Sequence, residues 1–155
     1  MNHLYDLLST MYHQDLFDYL DGYDCSTLGF TAHEHFTFYG CCMLGTALAI
    51  AAIFYLAINS PRFNHRSHWV LFMIVAFIVN FGIGFYFTND DLGNGSINQM
   101  MYSCPDGDGN MPSQQVDTLD CALFGLSNAI FAAVFYFIAS IGLKYASRNC
   151  KVVPF

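Results

Sequence analysis

Between Cys104 and Cys121 the chain reads CPDGDGNMPSQQVDTLDC, where oxygen donors alternate with glycine and a cysteine stands at each end. Two kinds of chemistry fit such a stretch. The first is cation binding: Asp106, Asp108, Asn110, the backbone carbonyl of Pro112, Gln114 and Asp117 fall at alternate positions, apart from the last. Alternate spacing lets a tight coil aim its oxygens at one centre, as hard cations such as calcium require. The second is a disulfide between Cys104 and Cys121, which would close the loop and contribute about 3 kcal/mol in the chain-entropy model.

The donor order matches the twelve-position calcium loop of EF-hands, but with departures. The turn position that favours glycine is Met111, the following aliphatic position is Ser113, and the closing acid is Asp117 rather than the longer, bidentate glutamate. YSCP, at Tyr102–Pro105, makes a poor end for an entering helix. Asp-Gly and Gly-Asn pairs also serve in any polar turn. A weak Ca2+ loop and a metal-free turn closed by Cys104 and Cys121 therefore both stand. Cys25 is the rival partner for either cysteine, and Cys150 belongs to a reducing side. Cys41 and Cys42 lie in an apolar run and pack as small apolar residues.

Which chemistry is available depends on the side of a membrane the loop occupies. The 155 residues are 55% hydrophobic and 11% charged. A soluble domain carries about 25% charged residues, so this composition describes a membrane protein. A net charge of −7 argues against a nucleic-acid partner. Three uninterrupted apolar stretches, 36–58, 69–87 and 121–143, contain no Asp, Glu, Lys or Arg. At 1.5 Å per residue each can cross about 30 Å of hydrocarbon. Only a helix satisfies the backbone of such a run in lipid, so the fold class is an all-α integral membrane protein with three transmembrane helices. A cleavable signal peptide is not expected, because the first residues lack a basic region.

Charge sets the expected orientation. All five basic residues lie in two places: Arg62 and Arg66 between the first two spans, and Lys144, Arg148 and Lys151 after the third. All twelve acids lie in the other two segments. The positive-inside rule then puts the N-terminal segment 1–35 and the loop 88–120 outside and the tail 144–155 in the cytoplasm. Arg62 and Arg66 are placed to meet lipid phosphates or a cytoplasmic partner. Helix starts are expected at the TAHE capping box (Thr31–Glu34), at Ser67, and at Asp117 or Thr118.

In the N-terminal segment Leu4, Leu7, Leu8 and Met11 share a helical face that Tyr12, Leu16, Tyr19 and Leu20 continue. This predicts an amphipathic helix on the outer surface ending near Gly22. Its polar side is acidic, so attraction to anionic lipid does not drive it there. Within the spans, Asn80 and Asn128 come to similar depths and are expected to pair by hydrogen bonding, within one chain or between copies. Small residues share their faces: Ala76 and Gly84 with Asn80, and Gly125, Ala129 and Ala132 with Asn128. Gly45, Ala49 and Ala52 form a similar face in the first span. Such faces let helix backbones approach closely.

No catalytic motif, intramembrane acid or broken-helix pair is present, so neither an enzyme nor a secondary transporter is expected. The expected function is a small structural or interaction subunit of a larger membrane assembly. It would anchor partners through its acidic outer helix and loop, as a homo- or hetero-oligomer in contact with lipids and other membrane or extracytoplasmic subunits. A secretion apparatus in a bacterial inner membrane is one setting. A homo-oligomeric pore lined by Asn80 and Asn128, or a membrane inhibitor or immunity protein, are the alternatives. The loop is tested by calcium titration against thermal stability. If the loop takes Ca2+, affinity will be weak, about 0.1–1 mM. Wild type then gains stability and the Asp106→Ala, Asp108→Ala double variant does not; no response at several-fold higher calcium removes the site.

Overall fold

The computed structural model describes residues 5–24, 29–30, 34–58, 65–97 and 116–147. A 3-10 helix, Asp6–Met11, comes first. Helix α1, Gln14–Asp21, follows and ends at Gly22, whose φ of 79° lets its N–H turn back to the Asp18 and Tyr19 carbonyls. Two residues, Tyr23–Asp24 (β1), pair antiparallel with Gly29–Phe30 (β2). Helix α2, Glu34–Ala52, continues as a π-helix over Ile53–Ile58. Helices α3, Arg66–Gly93, and α4, Thr118–Leu143, complete the described elements. Beyond the short ladder these elements are all helical, and three stretches are long and apolar enough to cross a membrane: His35–Ile58, Arg66–Gly93 and Thr118–Leu143.

The N-terminal helix differs from the expected one. It is broken at Tyr12, which is extended at φ −133°, ψ 168°. Its first part winds at about three residues per turn, which changes the face it presents. Leu7 is 73% exposed, while Tyr5 and Tyr12 are buried. In α1, Leu16, Tyr19 and Leu20 are buried.

Helix α3 is longer than the apolar run within it. At its start the His65 carbonyl accepts the His68 and Trp69 N–H groups, so Ser67 lies inside the helix rather than capping it. At its end the winding continues through Asp90 and Asp91. The Asn94 N–H still reaches the Asp90 carbonyl at 2.8 Å, and Gly95, at φ 76°, turns the chain out. Apolar composition marks where lipid can lie, whereas backbone hydrogen bonding runs on until a left-handed residue stops it.

Two compact units partition the chain, 1–40 with 82–127 and 41–81 with 128–155, and each takes part of all three long helices. In the second unit Ala47, Ala51, Phe54, Tyr55, Trp69, Ala76 and Tyr136 form the core. The π-helix coincides with burial of two successive rings, Phe54 and Tyr55, packed edge to face at 4.9 Å. The Trp69 indole N–H donates to Ser140 Oγ at 3.0 Å, Ser140 donates to the Tyr136 carbonyl at 2.7 Å, and the Tyr136 hydroxyl donates to the Trp69 carbonyl. Each polar tip on these residues thus stays inside the protein.

A second polar network in this unit joins all three long helices. Asn128 Nδ2 donates to the backbone carbonyl of Asn80 at 3.0 Å. The Asn80 side chain donates to the Ala76 carbonyl at 2.8 Å and accepts from the Thr46 hydroxyl at 2.8 Å. Thr46 shares that proton with the Cys42 and Met43 carbonyls of its own helix. Both asparagines are fully buried. The small residues of α3 and α4 beside them are buried as well, but Gly45 and Ala49 of α2 are exposed, and a Cβ on Gly45 would meet nothing within 4 Å. Helix α2 turns Thr46 inward in their place.

This arrangement makes a specific forecast for stability in detergent. Thr46→Val and Asn80→Leu should each destabilise, and the double variant should cost less than their sum by about 0.5–1.5 kcal/mol. Strict additivity would show that the pair does not interact. Asn80→Leu leaves the Asn80 carbonyl in place for Asn128, so coupling between the two asparagines should be the weaker of the two.

Candidate functional site

The first unit collects the features that bear on recognition. Residues 5–21 lie against the parts of α2, α3 and α4 that belong to the same unit. Phe124 of α4 is the hub: its ring centroid lies 5.6 Å from Tyr5, 5.7 Å from Tyr12 and 5.2 Å from Tyr39. Phe36 of α2 stacks on Tyr5 at 4.9 Å and packs with Phe17 at 5.1 Å. Tyr5, Phe36, Tyr39 and Phe124 are essentially inaccessible to solvent. Aromatic pairs add about 0.5–1.5 kcal/mol beyond the area they bury, so this cluster is the main attachment of the segment.

Polar contacts place it more exactly in register. Asp117 caps α4, its Oδ1 accepting from the Leu119 and Asp120 N–H groups at 2.8 and 3.1 Å. Asp120 reciprocates by accepting the Asp117 N–H at 3.1 Å, a capping box with aspartate in both roles. The other oxygen of Asp120 accepts the His13 N–H at 2.9 Å. His13 in turn caps α1, its Nδ1 accepting from the Asp15 N–H at 3.2 Å. Lower on α4, the Ser127 hydroxyl points to Met11 sulfur at 3.8 Å. Asp120, Phe124 and Ser127 therefore present one stripe of α4 to the N-terminal segment.

On α3 the anchor is Asp91, which the Tyr19 hydroxyl hydrogen-bonds. The His35 ring stacks on Tyr19 at 4.9 Å and 28°. Burial first, and then the Asp91 carboxylate, push the Tyr19 phenol above its ordinary range. Burial likewise raises the Asp18 carboxyl, opposed by a hydrogen bond from Gln14 Nε2 at 2.8 Å and reinforced by Asp15 and Asp21. The apolar side of α1 is thus consumed within the chain, and what it leaves outward is acidic.

Of the residues singled out in the sequence, Cys104, Asp106, Asp108, Asn110, Pro112, Gln114 and Arg62 lie outside the described residues, as do Cys25 and Thr31. Asp117 is placed as a helix cap, with one carboxyl oxygen engaged by two N–H groups. Cys121 is a free, fully buried thiol hydrogen-bonded to Thr88. Arg66 is exposed at the start of α3. Asn80 and Asn128 are brought together by an amide-to-backbone bond. Among the described residues no group of three or more His, Cys, Asp or Glu is placed to hold a metal ion. Sequence reasoning missed Asp120, although the Asp117-x-x-Asp120 spacing is itself a capping-box signal. It also missed His13 and Phe124, which carry no local signal for a contact across more than a hundred residues. No protein-family model matches the chain, nor does any curated protein or solved structure.

Tyr19 offers a direct check on this site. Tyr19→Phe should cost about 1–2 kcal/mol at neutral pH, because it removes a hydrogen bond to a carboxylate. The folded phenol titrates above the unfolded one, so stability is fully present below about pH 10 and is lost as pH rises beyond it. The variant should show a shallower alkaline loss in thermal unfolding. Equal alkaline slopes in the two proteins would mean that the Tyr19 hydroxyl makes no such contact.

Proposed function

We propose that this protein is a small interaction subunit of a membrane assembly, anchored by three helices and presenting an acidic outer surface to a basic partner. The observation that carries the reading is the use made of α1. Leu16, Tyr19 and Leu20 are buried within the chain, so the helix has no apolar face left for lipid or for a groove on another protein. Its remaining side carries Asp15, Asp18 and Asp21, with no basic residue anywhere in segments 1–35 or 88–120. Three acids at close spacing on one short helix repel one another. A cationic partner relieves that repulsion.

Orientation follows from the same asymmetry: N-terminus and loop 88–120 outside, basic segments inside, with Arg62 and Arg66 at the inner lipid phosphates. A bacterial inner membrane is one setting for such a subunit. On that outer side Ca2+ at Asp106, Asp108 and Asn110, or oxidation of the buried Cys121 thiol to a disulfide with Cys104, would serve to stiffen the loop for the partner. A pore lined by Asn80 and Asn128 fits less well, since both amides are fully buried and hydrogen-bonded.

Two measurements test the proposal. A reporter active only in the cytoplasm should work when fused after Lys151 and fail when inserted at Gly107; the reverse pattern overturns the outer assignment. Mild-detergent purification should bring down a partner that the Asp15→Asn, Asp18→Asn, Asp21→Asn variant no longer retains. Recovery of the wild-type protein alone and monomeric sinks the subunit reading.

A further inference from the structure

We infer that Asp120 couples the start of α4 to the seat of the N-terminal segment, so that the two open and close together. A capping-box carboxylate ordinarily serves its own helix. This one serves two. Its Oδ2 accepts the Asp117 N–H at 3.1 Å and its Oδ1 accepts the His13 N–H at 2.9 Å, and His13 is the residue that caps α1. A single carboxylate thus sits at the beginning of both helices, where the macrodipoles favour negative charge. Aspartate has only two side-chain torsions, so both bonds depend on one rotamer. That rotamer is held from one side by the Asp117 N–H and from the other by the His13 N–H. Losing either N–H loosens the rotamer from which the carboxylate accepts the other.

The positions of the two capped segments give this coupling a direction of use. Asp117 is the residue of the outer loop that directly precedes α4, so anything that draws on the loop reaches Asp117 before it reaches the body of the helix. His13 directly precedes the acidic helix α1. Asp120 therefore joins the residue just before α4 to the residue just before α1, and it lies on the same stripe of α4 as Phe124 and Ser127, which hold Tyr5, Tyr12 and Met11. The coupling is a property of these residues and does not depend on the identity of any partner.

Linkage requires the effect to run both ways, and two substitutions probe it from opposite ends. Asp117→Ala removes the side-chain cap, so that the start of α4 frays and carries away the Asp117 N–H that Asp120 accepts, and it touches nothing in α1. His13→Pro deletes the donated N–H while keeping the backbone, because His13 already sits at φ −64° and Tyr12 before it is extended. His13→Ala, which loses the ring cap but keeps the N–H, is the control. Hydrogen exchange on the full chain in lipid nanodiscs reads both segments, with the middle of α3 as the check that the fold is intact. Asp117→Ala should speed exchange in α1 by at least about fivefold, the low end of coupling between linked sites. His13→Pro should speed exchange at Leu119 and Asp120 by a similar factor, and His13→Ala should leave those two amides unchanged. If each substitution loosens only its own helix while α3 stays protected, the coupling does not exist.

Discussion

An amide side chain inside an apolar helix has no water to turn to, so its partners must come from the protein. Asn80 meets that demand with contacts to two other helices: its hydroxyl partner is Thr46 on α2, and its carbonyl serves Asn128 on α4. Apolar side chains tolerate many rotations and sliding registers, because hydrocarbon neighbours are nearly interchangeable. A hydrogen bond does not. In the unit built from 41–81 and 128–155, Asn80 therefore specifies which turn of α2 meets which turn of α3 and α4. The energy of each bond is modest, about 0.6 kcal/mol on average for polar contacts within membranes. The cost of leaving an amide unpaired there is larger, and that difference selects one arrangement.

The other unit solves a different problem. Three helices and a preceding segment meet there, and the free N–H groups of two helix starts need acceptors. Asp117, Asp120 and the His13 ring supply them. Rings supply the rest: tyrosines at 5, 12, 19 and 39 place an apolar body inward, and Tyr19 sends its hydroxyl to Asp91. Side chains with one apolar and one polar end suit a region where hydrocarbon gives way to water.

The three spans were legible because a run of twenty apolar residues without charge has few other uses. Asn80 and Asn128 were legible for the same reason, as the amides that break those runs. Thr46 was not, since threonine in an apolar helix can satisfy itself on the preceding turn and so carries no signal that it reaches further. Gly45 and Ala49 mark a face that permits close approach, but such a face does not say whether its neighbour lies in the same chain or in another copy. The 3-10 and π windings were invisible: neither has a residue signature, and each shifts which side chains turn inward, as Leu7 and Phe54 show. The Asp120 contact to His13 spans 107 positions, and no local pattern encodes such a pairing.

The acids at the two ends of this unit are not equivalent in what they do for the helices. Asp117 and Asp120 stand at the start of α4, where negative charge is favourable. Asp90 and Asp91 stand in the last turn of α3, where the exposed carbonyls make negative charge unfavourable. Local partners offset that penalty: Asn94 Nδ2 donates to Asp90 at 3.0 Å, and Asp91 takes the Tyr19 hydroxyl with His35 nearby. Helix stability accounts for the first pair and argues against the second. It argues against the run on α1 as well, where Asp21 closes a helix that has no basic residue in its last turn. Helix stability by itself therefore does not account for every acid in this unit. Under the orientation and function proposed above, two further demands bear on them: exclusion of positive charge from the translocated segments and attraction of a basic surface. The first needs only the absence of Lys and Arg, because acids contribute little to orientation. On the proposed function, the acids themselves answer to the second.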